Sequence, residues 1–258
     1  MKNWLKERLK AGAQTVGVWM SIPSPDLTEA LSRLGFDWFV YDHEHSPLNL
    51  QTIQTLMQAL GGSKAVPIVR VAWNDPVIIK RALDIGAYGV IVPWVSSREE
   101  AVNVVRACRY PPRGIRGFGP RRPSYLEGLE EYVTTADEEI LILVQIETRG
   151  AVENLEDILS VDGIDGIFIG PMDLSASLGY LGRPFEPEVQ ETIDRIFEAG
   201  RRAGVITGIY GMNLEDVERR LKQGFQFVCV GSDLGLLLER AREVLSRVAP
   251  LIRSGGQE

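Results

Sequence analysis

The sequence predicts a single (β/α)8 barrel spanning residues 1–258, and three observations support this prediction. Eight short segments rich in Val and Ile are each followed by a helical pattern. These segments are apolar along their whole length, as expected of parallel strands that are buried on both faces. No linker interrupts the alternation, and a chain of 258 residues suits one barrel, which commonly needs ~250 residues. An open doubly wound sheet is the alternative, but no GxGxxG motif follows the first strand.

The elements follow one another in a regular order along the chain. The strands are predicted at 15–20, 37–42, 66–71, 89–93, 140–147, 166–170, 205–209 and 226–230. The helices are predicted at 25–35, 49–60, 74–86, 97–108, 149–159, 187–203, 213–223 and 234–248. The third helix shows the usual signals: Asp75 as a cap, Pro76 in the first turn and Gly86 after the last. The opening segment MKNWLKERLKAG is predicted to be an amphipathic helix, because it lacks the apolar core of a signal peptide.

The bulk composition excludes several classes of protein. A net charge of -7 and a pI of about 5.1 argue against a nucleic-acid-binding protein, which normally carries a basic surface. No apolar run reaches the ~20 residues needed to span a bilayer, so no membrane association is expected. Cys108 and Cys229 fall in a helical and a strand-like segment. They are predicted to be buried free thiols, which is consistent with a reducing cytoplasm.

One long segment interrupts the repeat. Residues 109–139 separate the fourth helix of the repeat from the fifth strand, and they contain Arg113, Arg116, Arg121 and Arg122 among prolines and glycines. A connection of this length in a compact domain is usually functional or disordered. We call this segment the excursion. It is either a solvated loop or a segment that binds an anion or contacts another subunit, and the sequence leaves both open.

Polar residues follow many of the predicted strands, where the active site of a barrel lies. The strand ends carry Trp19; Asp42, His43, Glu44 and His45; Arg70; Pro93 and Trp94; Gln145 and Glu147; Gly170, Pro171, Met172 and Asp173; Tyr210; and Ser232 with Asp233. Glu147 and Asp173 each follow an apolar strand. Two carboxylates in one barrel mouth repel each other unless a cation lies between them, and Mg²⁺ or Mn²⁺ prefers such oxygen ligands. Alternatively, Asp173 caps a helix and Glu147 forms a salt bridge at the rim.

Three further residues at these ends point to catalysis. Both histidines of the chain, His43 and His45, lie in the loop DHEH. They could contribute to a zinc site, given a third ligand, or one could act as a general base oriented by Asp42. A self-contained polar loop is the structural alternative. Arg70 ends an apolar strand, so it needs an anionic partner. That partner is either Asp42 or Glu147 in a structural ion pair, or a substrate carboxylate or enolate.

Several of these segments together resemble the HpcH/HpaI aldolase family, the class II pyruvate aldolases of the 4-hydroxy-2-oxoheptanedioate and 2-keto-3-deoxy-sugar-acid type. The similarity is carried by GVWMS, DWFVYDHEHSP, PIVRV, KRALDIGAYGVIVPWV, RYPPRGIRGFG, LVQIET and GIDGIFIGPMDLSASLG. It runs in order from about residue 15 to about residue 235. The resemblance implies a barrel whose eighth helix is exchanged between paired subunits, and a homohexamer built as a trimer of dimers.

The resemblance also implies roles for individual residues. Glu147 and Asp173 would hold Mg²⁺, Mn²⁺ or Co²⁺, His45 would be the catalytic base next to Asp42, and Arg70 would stabilise an enolate. Substrate contacts would come from Gln145, the backbone of Met172, Asp173 and Trp19. Asp84 would raise the basicity of the histidine, and its place at the end of a helix predicts that it acts on a neighbouring subunit. Relatives often carry alanine where Met172 stands, so the larger side chain is expected to narrow or reshape the pocket.

The reaction implied by the resemblance joins pyruvate to an aldehyde or cleaves a 4-hydroxy-2-oxo acid. The cation and Arg70 would stabilise the enolate, and His45 would move the methyl proton. Decarboxylation of oxaloacetate or a related β-keto acid is an alternative that needs the same enolate. A catalytically silent ligand-binding barrel is a second alternative, which the intact set of candidate residues disfavours. The sequence does not name the aldehyde.

Overall fold

A computed structural model describes residues 2–252 and contains the predicted closed barrel. Its eight parallel strands pair in sequence order, and the eighth pairs with the first. The strands are β1 (Thr15–Met20), β2 (Trp38–Asp42), β3 (Val66–Arg70), β4 (Gly89–Val92), β5 (Leu141–Ile146), β6 (Gly166–Ile169), β7 (Ile206–Tyr210) and β8 (Phe227–Ser232). The barrel prediction is therefore confirmed, and the open doubly wound sheet is excluded.

Helices surround the barrel and follow the strands as expected. They are α1 (Trp4–Lys10), α2 (Pro25–Ser32), α3 (Leu50–Ala59), α4 (Pro76–Asp84), α5 (Arg98–Cys108), α6 (Arg121–Leu126), α7 (Leu129–Glu139), α8 (Arg149–Glu153), α9 (Leu155–Leu159), α10 (Pro171–Ser177), α11 (Pro187–Ala203), α12 (Leu214–Gln223) and α13 (Asp233–Val248), with a 3-10 turn at Ala249–Leu251. Among residues 2–252, no helix is both long enough and apolar enough to cross a membrane.

Two predictions about the helices need correction. The segment predicted as one helix over 149–159 is two short helices that meet at Asn154, because that residue leaves the helical conformation with ψ of 16°. The excursion is more ordered than a solvated loop, since it contains α6 and α7. Arg116 is buried within it, which contradicts the solvated interpretation at that residue.

The strands are buried on both faces, as their apolar sequences predict. Inside the barrel, Trp38 and Phe227 stack with their ring centroids 3.8 Å apart. Outside it, a second apolar layer joins the strands to the surrounding helices. Cys108 and Cys229 are buried free thiols, so that prediction is also confirmed.

The first helix closes the end of the barrel at which the strands begin. Leu5 and Leu9 of α1 join the interior cluster. The Gln226 side chain, just before β8, donates to the carbonyl of Leu9 at 2.8 Å. Lys6 is buried and its Nζ lies 2.8 Å from Oδ2 of Asp165. With this end closed, the opposite end, where the strands finish, is the accessible one.

Candidate active site

A cavity of about 270 Å³ lies at the carboxyl ends of the strands, where the sequence placed the active site. Its lining includes these predicted site residues: Trp19, Asp42, His45, Arg70, Gln145, Met172 and Asp173. The lining is completed by Ser21, Phe168, Gly170, Pro171, Tyr210, Met212 and Ser232. One cavity therefore brings together residues that are spread over most of the chain.

Asp42 and Arg70 are neighbours in register on β2 and β3. Arg70 Nε donates to Asp42 Oδ1 at 3.0 Å, and Arg70 Nη2 donates to Oδ2 at 2.8 Å. The carboxylate also accepts from the backbone N–H groups of Glu44 and His45 and from the Ser46 hydroxyl. Burial alone would raise the pKa of Asp42, but these bonds and the charge of Arg70 hold it below its usual value. Asp42 therefore fixes both the guanidinium and the DHEH loop.

Arg70 is packed as well as paired. Its guanidinium carbon lies 4.8 Å from the centre of the Trp19 ring, and its Nη1 lies 3.1 Å from Oε2 of Glu44. A guanidinium carries five N–H donors in a rigid fork. The contacts to Asp42 and Glu44 leave N–H groups on both terminal nitrogens for a ligand. The expected structural pair with Asp42 and a substrate contact are thus compatible.

Glu44 is a residue to which the sequence assigned no role. Its side chain is buried between Arg70 and His45, with Oε1 3.7 Å from His45 Nε2. Burial, opposed by the positive charge of Arg70 and supported by the charges of Asp42 and Asp173, raises its pKa to about 7. A partly protonated carboxyl beside an exposed histidine can exchange protons with it near neutral pH.

The two histidines occupy different environments. His45 lines the cavity, and 60% of its side chain is exposed. His43 does not line the cavity, and its Nδ1 is buried without a hydrogen-bond partner. Burial lowers the pKa of His43 below its usual value, although the charge of Asp42 opposes this shift. His45 is therefore the histidine that can reach a ligand in the cavity.

Glu147 is held at the edge of this cavity by the polypeptide itself. Its Oε1 accepts from the backbone N–H of Trp94 at 2.9 Å, and its Oε2 is hydrogen-bonded to Nε2 of Gln145. Trp94 has φ of 58°, a conformation uncommon outside glycine, which places its N–H against Glu147. Burial, with the charges of Asp173 and Glu44, outweighs the Trp94 hydrogen bond and raises the pKa of Glu147 to about 7.

Asp173 lies in the first turn of α10. The cap of that helix is Gly170, which makes no side-chain cap, so the alternative of Asp173 as the capping residue is wrong. Gly170 is needed for a different reason. A Cβ built there would lie 2.7 Å from Glu147 Oε2 and 2.8 Å from Gln145 Nε2. The chain therefore approaches Glu147 at a point where only glycine fits.

The acidic residues of the site suit a hard cation. Glu147, Asp173 and Glu44 each interact unfavourably with the others, as the raised pKa values of the two glutamates indicate. The buried Oε1 of Gln145 beside them has no hydrogen-bond partner. Within residues 2–252, no group of three or more His, Cys, Asp or Glu side chains is arranged as a complete metal site. Two carboxylates would thus need further ligands from water or substrate.

Aromatic side chains form the rest of the cavity wall. Trp19 stacks on Phe168 with their ring centroids 5.3 Å apart and meets Tyr210 edge-on at 5.8 Å. Met172 is 44% exposed at the start of α10, so its side chain narrows the mouth as expected from its size. The wall is therefore rigid and largely apolar next to the polar end formed by Arg70 and the carboxylates.

Asp84 lies away from this cavity, at the end of α4. Its Oδ1 accepts from Nη2 of Arg116 in the excursion at 2.8 Å. Arg116 is fully buried, and its guanidinium lies 4.6 Å from the centre of the Tyr110 ring. Burial raises the pKa of Asp84, although Arg116 opposes the shift. Within one chain, Asp84 does not line the cavity that contains His45.

The site residues that sequence reasoning missed are those defined by contacts. Glu44 and Trp94 were at strand ends, but their pairing with Arg70 and Glu147 depends on loop conformation. The signal available for Gly170 was its place between an apolar strand and a proline, which marks a turn without naming its neighbour.

Comparison with known proteins places the chain among enzymes of one family. The model of the HpcH/HpaI aldolase/citrate lyase family matches residues 15–239. A 4-hydroxy-2-oxo-heptane-1,7-dioate aldolase of Salmonella typhimurium is 45% identical over 249 residues, which cover 96% of this chain and 95% of the relative.

Solved structures agree with this comparison. An HpcH/HpaI aldolase/citrate lyase family protein from Burkholderia cenocepacia has a TM-score of 0.91 and 32% identity, covering 96% of this chain and 100% of that one. An HpcH/HpaI aldolase from Desulfitobacterium hafniense has a TM-score of 0.89 and 30% identity, covering 98% and 99%. The family match spans well over half of the chain. The chain belongs to the HpcH/HpaI aldolase/citrate lyase family.

Proposed function

We propose that the chain is a divalent-metal-dependent class II aldolase, formed by residues 1–258 as one catalytic domain. It reversibly cleaves a 4-hydroxy-2-oxo acid to pyruvate and an aldehyde. The observation that carries the proposal is the placement of Glu147 and Asp173 near Arg70 at the barrel mouth. The 45% identity to a named aldolase over nearly the whole chain supports the same carbon–carbon lyase chemistry.

The polar end of the cavity has the groups needed to bind pyruvate. Glu147 and Asp173 would hold Mg²⁺, Mn²⁺ or Co²⁺, and the ion, when bound, supplies Lewis-acid polarisation of the substrate oxygens. The free N–H groups of Arg70 can donate to the oxygen that becomes negative in the enolate. Gln145, the backbone of Met172 and Trp19 lie where they can orient the acid.

His45 is the group available to move the methyl proton. It lines the cavity, and the ordinary pKa of an imidazole, ~6.5, suits proton transfer near neutral pH. Asp42 anchors its backbone through the N–H bond at 3.2 Å, so the loop that carries it is fixed relative to Arg70. Glu44 lies within 3.7 Å of Nε2 and is a second carrier for the proton.

Decarboxylation of oxaloacetate remains the second candidate function. The same Arg70 contact would stabilise the enolate that loss of carbon dioxide produces. A catalytically silent barrel is disfavoured, because Glu44 and Glu147 are kept buried with raised pKa values, an arrangement typical of working sites.

The surface of the molecule supports assembly as a homohexamer with an exchanged eighth helix. Of helix α13, only Asp233 is buried, so the helix makes little use of its own barrel. Its exposed apolar side chains include Leu234, Leu237, Leu238, Val244, Leu245 and Val248. The excursion also exposes Ile115, Phe118 and Tyr125. Such patches mark contact surfaces, and a contact of this kind would bring Asp84 to the His45 of a neighbouring subunit.

We further propose a cytoplasmic location, because Cys108 and Cys229 are both unpaired and free thiols suit a reducing compartment. The proposed partners are small molecules only, with no nucleic acid and no membrane.

A chelator experiment tests the proposed mechanism. A Schiff-base aldolase needs a lysine in the cavity, and none appears in the cavity lining described for residues 2–252. We therefore expect excess chelator to abolish turnover and Mg²⁺, Mn²⁺ or Co²⁺ to restore it. Borohydride with pyruvate should leave the protein mass unchanged. Full activity in chelator, or a trapped pyruvyl adduct, would overturn the metal mechanism.

A further inference from the structure

The part of the cavity beyond the polar end is uncharged. It is formed by Trp19, Phe168, Tyr210, Met212 and Ser232. If pyruvate is bound at the polar end by the proposed mechanism, the aldehyde must occupy this second part. Its side chains therefore decide which aldehyde is accepted.

No cation in the described chain is available to this part of the cavity. Arg70 is the only arginine, and no lysine is present, among the lining residues described within 2–252. Its guanidinium is tied to Asp42 at two points and paired with Glu44. The remaining N–H groups of Arg70 are those assigned to the enolate oxygen. Hence a second carboxylate on the substrate has no guanidinium to bind.

The nearest other arginine does not substitute for it. Arg149 follows β5 and is exposed, but it does not line the cavity. Its Nη2 donates to the carbonyl of Leu178 at 3.3 Å, and its backbone N–H donates to the Ser177 hydroxyl. Arg149 is therefore directed along the end of α10.

The charge balance of the site also disfavours a second anion. Four carboxylates, from Asp42, Glu44, Glu147 and Asp173, surround the single guanidinium of Arg70. A bound dication together with the pyruvate carboxylate adds only one net positive charge. An aldehyde that carries its own carboxylate would thus enter a region of negative charge.

The hydroxyl groups offer a neutral ligand more than they offer an anion. The Ser21 hydroxyl already donates to Asp233 at 2.6 Å, and the Ser232 oxygen accepts from the N–H of Gly235 at 3.0 Å. Ser232 and Tyr210 retain hydroxyl hydrogens, and neutral oxygens can pair with these. Such single contacts do not replace the bidentate partner that a carboxylate prefers.

We propose, resting on the aldolase function above, that this enzyme selects an uncharged aldehyde and discriminates against aldehydes that carry a terminal carboxylate. Its 4-hydroxy-2-oxo acid is therefore of the sugar-acid or aliphatic type. A 1,7-dioate, the kind of substrate in the name of the Salmonella relative, is disfavoured.

The test compares two aldehydes that differ mainly in charge: succinic semialdehyde and its methyl ester. Aldol addition of pyruvate is measured with the Mg²⁺- or Mn²⁺-loaded full chain. We expect kcat/KM for the ester to exceed that for the acid by about tenfold or more, the usual size of one lost charge-assisted contact. Equal values, or a preference for the acid, would overturn the proposal.

A matched pair of variants at Met212 tests the reason for the selectivity. Met212 lines the cavity and is not assigned to the reacting end. Met212→Lys should shift the acid-to-ester ratio of kcat/KM towards the acid by about tenfold. Met212→Gln, which adds no charge, should leave the ratio near that of the unaltered protein. A similar shift in both variants would mean that charge is not the cause.

A failed selectivity proposal can be told apart from a failed aldolase proposal. Exchange of the pyruvate methyl protons in heavy water requires enolate formation but no aldehyde. Normal exchange with a preference for the acid would overturn only the selectivity proposal. No exchange and no turnover of either aldehyde would overturn the aldolase function itself.

Discussion

Arg70 and Asp42 form a two-point ion pair, in which Nε and Nη2 donate to Oδ1 and Oδ2 at 3.0 and 2.8 Å. The same carboxylate accepts from the backbone N–H of His45 at 3.2 Å. One side chain therefore sets the position of the proposed enolate-binding group relative to the proposed base. This relationship follows from the register of β2 and β3, in which Asp42 and Arg70 are paired.

Arg70→Lys should reduce kcat/KM severely, by about 100-fold or more, the loss typical of removing a preorganised oxyanion donor. Lysine keeps the charge but cannot hold both oxygens of Asp42 and donate to a substrate from a rigid fork. Steady-state aldol cleavage measures the effect. Arg149→Lys, at an exposed arginine outside the cavity lining, is the control and should remain close to normal. Near-normal turnover of Arg70→Lys would reduce Arg70 to a structural role.

His45→Ala should slow exchange of the pyruvate methyl protons with solvent by about 10²- to 10⁴-fold, the usual contribution of a general base. Pyruvate binding should weaken much less, because His45 is exposed and the acid is bound by other groups. Proton NMR in heavy water gives the exchange rate, and Trp19 fluorescence gives binding. An unchanged exchange rate would remove His45 from the role of base and direct attention to Glu44.

Glu147→Gln and Asp173→Asn should each weaken divalent-cation binding and turnover, because a neutral amide holds a hard dication less strongly than a carboxylate. Titration calorimetry with Mn²⁺ measures the affinity without relying on activity. Glu153→Gln, at an exposed position of α8, serves as the matched control. Mn²⁺ affinity that is unaffected in both site variants would show that the ion is bound elsewhere.

Much of this arrangement follows from local sequence. The Val- and Ile-rich strands and the polar residue after each one were sufficient to predict the barrel, the position of the mouth and most of its lining. The family and the carbon–carbon lyase class are also confirmed. The DHEH loop and the QIE strand end were recognisable because their polar residues contrast with the apolar strands before them.

The remaining features depend on contacts between distant segments. Glu44 is buried by Arg70 and His45, and Trp94 takes an unusual φ to reach Glu147. Neither contact has a sequence period. The helices of the excursion are short and lie among prolines and glycines, so their helical pattern is weak. The site roles given to His45, Arg70, Glu147, Asp173 and Asp84 stay predictions.

Cation binding should strengthen as the pH rises through about 7. Burial and neighbouring charges raise the pKa of Glu147 from an ordinary 4.5 to about 7. In the metal-free protein this raised pKa costs stability as the pH rises from 4.5 towards 7, since the folded state resists ionisation. A dication removes that cost by pairing with the carboxylate.

Thermal unfolding with chelator and with Mn²⁺ measures this dependence. The increase in Tm caused by Mn²⁺ should be larger at about pH 8 than at about pH 5.5, where protons compete for the carboxylate. Glu147→Gln should lose most of the pH dependence. A larger Tm increase at the lower pH would contradict the assignment of Glu147 as a ligand.

Gly170→Ala should damage the site more than it damages the fold. The added Cβ would lie 2.7 Å from Glu147 Oε2 and 2.8 Å from Gln145 Nε2, so the Glu147 carboxylate must move away from its position beside the Trp94 N–H. Positions of metal-binding groups tolerate little displacement, so Mn²⁺ affinity and turnover should fall by about 10- to 100-fold. Gly150→Ala in α8 is the control, because its Cβ would meet no atom closer than 3.7 Å. Calorimetry with Mn²⁺ gives the affinity, and circular dichroism gives the Tm. If Gly170→Ala binds Mn²⁺ as tightly as Gly150→Ala, the close approach at Gly170 does not position Glu147 for the ion.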